Sequence, residues 1–240
     1  MKPVTARPEL DRVNQLLGEE ATAVLGQTRV VVVGLGGVGS WAAEALVRSG
    51  IGHITVIDND NVCPSNINRQ AEALPGTVGL PKAAALMKRL LEINPGCDVS
   101  AFNKIFSLET AGLFGMEKAA YVIDAIDSFP HKLDLIQFAS GKAILFSSMG
   151  MAQKTDPTRI KAADIWETHG CPLAKVVRQG LKARGFAGHF TAVYSDEVIN
   201  RKNTKNGSLV TVTAAAGMTL ASLVIRSVCH GIAEHPNGGS

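Results

Sequence analysis

A glycine-rich loop at residues 34–40 is the first part of the chain whose residue types and spacing suit chemistry. It contains the pattern GxGxxG at Gly34, Gly36 and Gly39. In such a loop the first glycine permits a tight turn, the second lets a phosphate approach the backbone, and the third lets a helix pack closely on a strand. Asp58 follows Gly39 after 19 residues, where an acidic side chain commonly takes a ribose hydroxyl. The loop therefore predicts a nucleotide site and leaves a dinucleotide and ATP both open.

The polar segment after Asp58 favours a triphosphate over a dinucleotide. A dehydrogenase usually continues from its ribose-binding acid into another helix, whereas residues 59–70 form a polar loop that contains Arg69, and Lys82 begins the next predicted helix. Two cations beside a glycine-rich loop suit the charge on a leaving pyrophosphate. Asp127 follows a predicted strand and is placed to hold a Mg²⁺ ion that bridges phosphate oxygens. Arg69 or Asp127 alone is explained equally well by a surface ion pair or a helix cap. Only the combination of these residues with the glycine loop indicates a triphosphate site.

Short apolar segments alternate with amphipathic segments and must position these residues. Buried parallel strands are apolar on both faces, whereas helices of a globular domain carry one apolar stripe. Predicted strands lie at 29–33, 54–57, 99–102, 120–123, 143–146, 158–163 and 189–194, and predicted helices at 38–49, 81–93, 130–140 and 173–184. This alternation predicts an α/β fold with a doubly wound, mostly parallel, Rossmann-like sheet and an extended C-terminal portion.

The composition excludes several other classes of protein. With 46% hydrophobic and 19% charged residues, the chain of 240 residues can bury a sizeable core and is not a disordered protein. Its net charge of +3 permits an anionic partner but lacks the excess of a DNA-coating protein, so we expect no DNA partner. The four cysteines form no CxxC pair, which excludes a zinc ribbon and a dense disulfide framework and predicts reduced thiols.

An uncharged segment at residues 209–225 approaches the length of a membrane-spanning helix without reaching the ~20 residues that a span requires. It holds several threonines and a small-residue run at 214–217. We therefore expect a buried strand followed by a helix, with the small residues at a subunit contact, and no membrane span. The N-terminal segment carries acidic side chains and lacks the apolar core of a signal peptide, so a cytoplasmic location is expected.

Four motifs occur together in this chain. They are GxGGxGS at 34–40, DxDxVxxSNxNRQ at 58–70, GxxK at 79–82 and DAxDS at 124–128. This set resembles the ubiquitin-activating-enzyme-like adenylating superfamily (ThiF/MoeB/HesA type), which includes the activators of the molybdopterin and thiamine sulfur carriers. Within it the chain is most similar to the bacterial tRNA threonylcarbamoyladenosine dehydratases, through residues 39–46, 122–128, 156–158 and 171–174. The resemblance covers about residues 10–230.

The resemblance implies an enzyme that uses ATP and Mg²⁺ to adenylate a carboxylate. The residues that it implies for ATP binding are Gly34, Gly36, Gly37, Gly39, Asp58, Asp60, Asn66, Arg69, Gln70, Lys82 and Asp127. The implied catalytic residues are Arg12, Arg69, Lys82 and Asp127, and Asp127 is also the implied Mg²⁺ ligand. In the family an arginine of the N-terminal arm enters the partner subunit's site, which implies a homodimer with Arg12 acting in trans. Glu9 and Gln15 depart from the family pattern, which often has arginines there.

The branch that the chain resembles adenylates the carboxylate of threonylcarbamoyladenosine in tRNA and promotes its cyclisation with loss of water. We expect the same reaction here, with tRNA as the partner. The alternative is an activator of the C-terminus of a ubiquitin-like or sulfur-carrier protein, with a carrier or sulfur-relay partner, and the absence of CxxC pairs counts against it. A nucleotide-sensing module without turnover and a dehydrogenase are less favoured still.

The expected organisation is an N-terminal helical arm at 1–28, a single ATP-binding adenylation domain at 29–234 and a disordered tail at 235–240. The domain divides into a Rossmann-like part at 29–150 and a C-terminal part at 151–234. Candidate tRNA phosphate contacts are Lys175, Arg178, Lys182 and Arg184 on one predicted helix and Arg201, Lys202 and Lys205 in a basic loop. A solvated helix face explains the first group equally well. His131, His169 and His189 are interpreted as structural or surface residues.

Cys171 is the cysteine that the sequence offers as a nucleophile, because it begins a predicted helix, where a thiolate is favoured. Most cysteines are small core residues, and ring closure by a nitrogen of the same modified nucleoside needs no enzyme thiol. Cys171→Ala is therefore expected to retain both ATP consumption and cyclised product, measured by nucleoside mass spectrometry. Loss of the product with adenylation intact would contradict this expectation.

Overall fold

A seven-stranded sheet forms the centre of the computed structural model, which describes residues 7–198 and 207–234. The strands are β1 (Arg29–Val33), β2 (His53–Ile57), β3 (Asp98–Phe102), β4 (Tyr121–Asp124), β5 (Ile144–Ser148), β6 (Ile160–Asp164) and β7 (Thr191–Ser195). Their order is β3-β2-β1-β4-β5-β7-β6, and every neighbouring pair is parallel except β6 with β7. The predicted doubly wound, mostly parallel α/β fold is confirmed.

Helices cover both faces of this sheet. They are α1 (Asp11–Leu17), α2 (Glu19–Gln27), α3 (Gly39–Arg48), α4 (Lys82–Ile93), α5 (Phe129–Ala139), α6 (Pro172–Ala183) and α7 (Val210–Glu234). The apolar side chains of α2, α3, α4 and α7 form one buried cluster, and those of α5 and α6 belong to a second. The sheet therefore lies between two helical layers, as the βαβ connections require.

The alternation of side chains along β1 shows why its residues 30–33 are all apolar. Val30 and Val32 belong to the cluster on one face of the sheet, and Val31 and Val33 belong to the cluster on the other. All four are almost fully buried. Successive side chains of a strand point to opposite faces, so a strand with helices on both sides needs an apolar residue at every position.

The prediction of a strand followed by a helix at residues 209–225 is wrong, because residues 210–225 all belong to the single helix α7. Its threonines suggested a strand, but in the helix Thr219 Oγ1 donates to the Ala215 carbonyl oxygen at 2.8 Å. By length and composition alone, the part Val210–Gly231 is apolar enough to cross a membrane. Its buried stripe contains Val212, Ala216 and Leu220, which pack in the same cluster as α3 and the sheet.

The N-terminal arm is helical in its described part and does not lie free of the domain. Leu25 of α2 is fully buried, and α2 packs against α7. The predicted basic loop with Arg201, Lys202 and Lys205, and the predicted tail at 235–240, lie outside the described residues.

The register of the sheet brings the carboxyl ends of its central strands to one edge. Val33 at the end of β1 pairs with Ile57 of β2 on one side and with Asp124 of β4 on the other. The strand order reverses between β1 and β4, since β2 and β3 extend to one side and β4 and β5 to the other. In open α/β sheets, ligands bind in the crevice at such a switch point.

Candidate active site

A cavity of about 590 Å³ lies along the carboxyl ends of β1, β2, β4 and β5. Of the eleven residues implied for ATP binding, ten line it: Gly34, Gly36, Gly37, Asp58, Asp60, Asn66, Arg69, Gln70, Lys82 and Asp127. Only Gly39 is not among the lining residues, because it lies in the first turn of α3, beneath the loop. The sheet edge therefore brings the predicted residues together in one place.

The glycine loop is packed too closely for side chains at two positions. Gly34 has a φ of +88°, and a Cβ atom built on it would lie 2.5 Å from the Ala125 carbonyl oxygen. A Cβ atom on Gly39 would lie 1.8 Å from the Gly34 carbonyl oxygen. Both glycines are therefore required by the backbone, as the GxGxxG pattern predicts. The N-terminus of α3 follows directly after Val38, which lines the cavity together with Gly36 and Gly37. The free amides of a helix N-terminus suit an anionic group at such a place.

Asp58 shapes the glycine loop as well as lining the cavity. Its Oδ2 accepts a hydrogen bond from Leu35 N at 2.7 Å, and its Oδ1 accepts one from Asp60 N at 2.8 Å. Burial raises the pKa of this carboxyl above its ordinary value, and the nearby Lys82 ammonium opposes the shift. Each carboxylate oxygen retains a second lone pair for a ribose hydroxyl.

Lys82 is the first residue of α4, and its side chain is buried in the cavity wall. Its Nζ lies 2.8 Å from Asp60 Oδ2 and 3.9 Å from Asp58 Oδ1. Its backbone amide donates to the Asp60 carbonyl oxygen at 2.9 Å, which fixes the start of the helix to the loop after β2. The ammonium is therefore held at the edge of the cavity, where it can neutralise phosphate charge.

The loop between β2 and α4 carries the other polar residues of the motif. Arg69 Nη1 donates to the Ser65 carbonyl oxygen at 2.7 Å and to Asn68 Oδ1 at 3.0 Å. Asn66 is buried, and its Oδ1 accepts from Cys63 N at 2.9 Å. Gln70 is 5% exposed, and its Oε1 has no hydrogen-bond partner among the residues that the structure describes. The Gln70 amide is thus a buried polar group that lines the cavity and can bind a ligand.

Asp127 presents an exposed carboxylate to the cavity from the loop after β4. Across residues 7–198 and 207–234, no group of three or more His, Cys, Asp or Glu side chains is arranged to hold a metal ion. Mg²⁺ is commonly bound by one or two carboxylates together with substrate phosphates. The Asp127 carboxylate is an oxygen ligand of that kind at the cavity wall, and Asp127 is the residue predicted to hold the ion.

Several lining residues come from beyond the motifs and were not predicted from the sequence. Lys104, Ile105 and Phe106 come from the segment after β3. Met149 follows β5, and Leu173 lies in the first turn of α6. His131 also lines the cavity, with its Nδ1 2.9 Å from Ser128 Oγ, so the interpretation as a structural or surface residue is incomplete. Its only sequence signal is its place four residues after Asp127.

Two candidates from the sequence lie away from the cavity. Arg12 is an exposed residue of α1, and its Nη1 donates to Gln15 Oε1 at 3.2 Å. Cys171 is 4% exposed and is not a lining residue, although its sulfur lies behind Gly150 of the cavity wall. Neither side chain reaches the cavity of its own subunit.

The predicted basic face on α6 is only partly free for an anionic partner. Lys175 and Lys182 are exposed. Arg178 donates to Thr168 Oγ1, and Arg184 Nη1 lies 2.6 Å from Asp134 Oδ1. The helix also begins at the cavity and runs away from it, because Leu173 is a lining residue and Arg184 contacts α5.

A nucleotide cavity at the switch point of a parallel α/β sheet defines a nucleotide-binding protein of the Rossmann type. Comparison with known families is more specific, because the profile of the ThiF family matches residues 10–238. The chain belongs to the ThiF family, which confirms the superfamily indicated by the four motifs.

The proteins to which this chain is similar include tRNA threonylcarbamoyladenosine dehydratases. The chain is 45% identical over 182 residues to the tRNA threonylcarbamoyladenosine dehydratase of Bacillus subtilis, which takes in 75% of this chain and 72% of the relative. It is 39% identical over 194 residues to tRNA threonylcarbamoyladenosine dehydratase 2 of Saccharomyces cerevisiae, covering 80% of this chain but only 43% of that protein. Adenylyltransferases of sulfur carriers match with lower identity over less of the chain.

A solved structure also matches closely. The structure of Escherichia coli tRNA N6-threonylcarbamoyladenosine dehydratase in complex with ATP superposes with a TM-score of 0.88 at 36% identity. The match covers 95% of this chain and 96% of that chain.

Glu72 is a buried carboxyl behind the cavity, and it gives the fold a pH dependence. Burial raises its pKa from 4.5 to about 7, against the opposing effects of the backbone and of the Lys82 ammonium. Between these two values the unfolded chain releases a proton that the folded chain keeps. The free energy of unfolding therefore falls as the pH rises from 4.5 to about 7, and this contribution levels off above that range.

Glu72→Gln removes this titration and is expected to stabilise the protein at about pH 8 by on the order of 3 kcal/mol. The gain should vanish toward about pH 4, where the parent carboxyl is neutral in both states. Urea unfolding across this range measures it. Glu92→Gln, which alters an exposed carboxyl on α4, is the control and should have little effect at any pH. A gain from Glu72→Gln that does not change with pH would contradict the shifted carboxyl.

Proposed function

We propose that this chain is an ATP-dependent enzyme that adenylates the carboxylate of threonylcarbamoyladenosine in tRNA and promotes its cyclisation with loss of water. The observation that carries the proposal is the cavity that combines the glycine loop with Arg69, Lys82 and Asp127. The match to an ATP-bound dehydratase over nearly the whole chain, and the high identity to dehydratases, support the substrate. A reaction on tRNA that consumes ATP also favours a cytoplasmic location.

In the first step the substrate carboxylate attacks the α-phosphorus of ATP. A carboxylate oxygen–phosphorus bond forms, the bond to the bridging oxygen breaks, and pyrophosphate leaves with the electron pair. Arg69 and Lys82 are two of the cationic residues that line the cavity, and they oppose the charge on the departing group. Asp58 and Asp60 hold the Lys82 ammonium in place. When bound, Mg²⁺ supplies further positive charge to the phosphate oxygens, and Asp127 is the residue that would hold it.

In the second step a nitrogen of the same modified nucleoside attacks the acyl-adenylate. A carbon–nitrogen bond forms, the carbon–oxygen bond to AMP breaks, and the proton of the attacking nitrogen is released. Together the two steps remove the elements of water from the substrate at the cost of one ATP. No protein nucleophile is required, which agrees with the burial of Cys171 outside the cavity lining.

The partner surfaces are part of the same proposal. Lys175 and Lys182 are the exposed cations of α6 that are available to tRNA phosphates, and Lys175 lies nearer the cavity. Arg12 acts in trans in a homodimer, as the resemblance implies. The exposure of its side chain on α1, away from the cavity of its own subunit, supports this role. The exposed Leu16 on the same helix offers an apolar contact for the partner subunit.

Lys82→Ala and Asp127→Ala should each lower the formation of cyclised product by on the order of 100-fold, because each removes charge compensation on the phosphates. The assay is incubation with ATP, Mg²⁺ and tRNA that contains threonylcarbamoyladenosine, followed by nucleoside mass spectrometry. Lys88→Ala, an exposed lysine on the same helix as Lys82, is the matched control and should retain full activity. Unchanged ATP turnover in both site variants would refute adenylation. Pyrophosphate exchange that requires a carrier protein instead of tRNA would support the sulfur-carrier activator.

Mixing two inactive variants tests the role of Arg12. If Arg12 acts in trans, subunits with Arg12→Ala and subunits with Lys82→Ala should form mixed dimers in which one site is complete. An equal mixture allowed to exchange subunits should then recover about a quarter of the parent activity. If Arg12 acts within its own subunit, both sites of the mixed dimer stay defective and no activity returns.

A further inference from the structure

A buried network of polar side chains lies directly behind the cavity, at the carboxyl ends of β4 and β5. Lys132 and Asp124 have no exposed side-chain area, and Lys132 Nζ lies 2.7 Å from Asp124 Oδ2. Ser147 Oγ donates to the same Asp124 oxygen at 2.6 Å. Lys132 Nζ also donates to the Ser148 carbonyl oxygen at 3.0 Å. The ammonium therefore joins the start of α5 to the ends of two neighbouring strands.

The network continues into the loop that carries Asp127. Asp124 Oδ1 accepts a hydrogen bond from Ile126 N at 3.1 Å, one residue before Asp127. On its other side the loop is held by Ala125 N, which donates to the Val33 carbonyl oxygen at 2.8 Å. The segment is therefore fixed between the glycine loop and the buried ammonium, and Ala125, Ile126 and Asp127 all line the cavity.

Stability alone does not explain a charged pair at this place. Two buried charges lose their hydration, and replacing such a pair with apolar side chains of similar volume is often neutral or stabilising. Leu133 and Ile136 already pack α5 against the sheet. A role in holding the cavity wall in place does explain the pair. Displacement of a reacting or binding group by ~1 Å can lower a reaction rate about 100-fold.

We propose that Lys132 is a positioning residue, which holds the Asp127 loop and the Ser148 carbonyl against the cavity through its contacts with Asp124 and β5. The proposal rests on the proposed function, in which Asp127 would hold Mg²⁺ together with the phosphates of ATP. Lys132 does not line the cavity, so it acts through Asp124 and the loop and not on the substrate.

The test measures ATP binding by isothermal titration calorimetry, with Mg²⁺ and with EDTA. The variant is Asp124→Asn combined with Lys132→Met, which neutralises both charges and leaves no unpaired ion in the core. Its dissociation constant for ATP in Mg²⁺ should rise about tenfold or more, because the carboxylate is no longer held in place. In EDTA the constant should change less than about twofold. Equal losses in both conditions, or no loss in either, would overturn the positioning role.

A double-mutant cycle separates positioning from a general structural effect. In an Asp127→Ala background the Asp124→Asn/Lys132→Met change should add almost nothing to the loss of binding in Mg²⁺, because both act through one group. Additive losses would refute the proposal. Arg89→Met is the matched control, since it breaks the partly buried contact with Glu44 and should lower the Tm without altering the effect of Mg²⁺.

Ser147→Ala provides a milder variant in case the double variant does not fold. It removes one hydrogen bond to Asp124 and should produce a smaller change in the same direction. ATP binding by the parent protein, measured in Mg²⁺ and in EDTA, separates the assignment of Asp127 from the positioning role of Lys132. If the parent binds ATP equally in Mg²⁺ and in EDTA, the assignment of Asp127 fails and the positioning role fails with it. If the parent depends on Mg²⁺ and Ser147→Ala depends on it equally, only the positioning role fails.

Discussion

The contact between the glycine loop and the segment after β4 is the constraint on which the site depends. At Gly34 no Cβ atom fits, since it would lie 2.5 Å from the Ala125 carbonyl oxygen. This approach follows from the register of the sheet, in which Val33 pairs with Asp124. The glycine loop and the segment that carries Asp127 are therefore set at a fixed separation by strand pairing. A larger residue at Gly34 would push the two walls of the cavity apart.

The cationic side chains of the site bond to protein groups whose place a phosphate can take. Lys82 contacts Asp58 and Asp60, while Arg69 contacts a carbonyl oxygen and an amide oxygen of its own loop. Arg69 therefore bonds to neutral oxygens, whereas Lys82 is paired with two carboxylates, with which a polyphosphate in the cavity would compete.

The sequence motifs predicted those parts of the site that lie within one short, continuous segment of the chain. The glycine loop, the loop of residues 58–70 and Lys82 could be found because each motif spans a single turn or loop. Met149, Leu173 and His131 could not, because they reach the cavity through strand order and helix packing, which no short spacing encodes. The same limit explains α7, where threonines favoured a strand locally and the apolar contact with α3 decided for a helix. The motifs indicated the family. They did not indicate that Arg178 bonds to Thr168 or that Arg184 bonds to Asp134 of α5.

The cavity draws its lining from residues as far apart in the chain as Val33 and Thr213. No single segment contains enough of it to bind a nucleotide, so the binding free energy is available only to the folded sheet. Nucleotide at 100 times its dissociation constant would add about 2.7 kcal/mol to the free energy of unfolding. The cellular supply of the substrate thus also protects the fold, and a subunit without nucleotide is the form most exposed to unfolding and proteolysis.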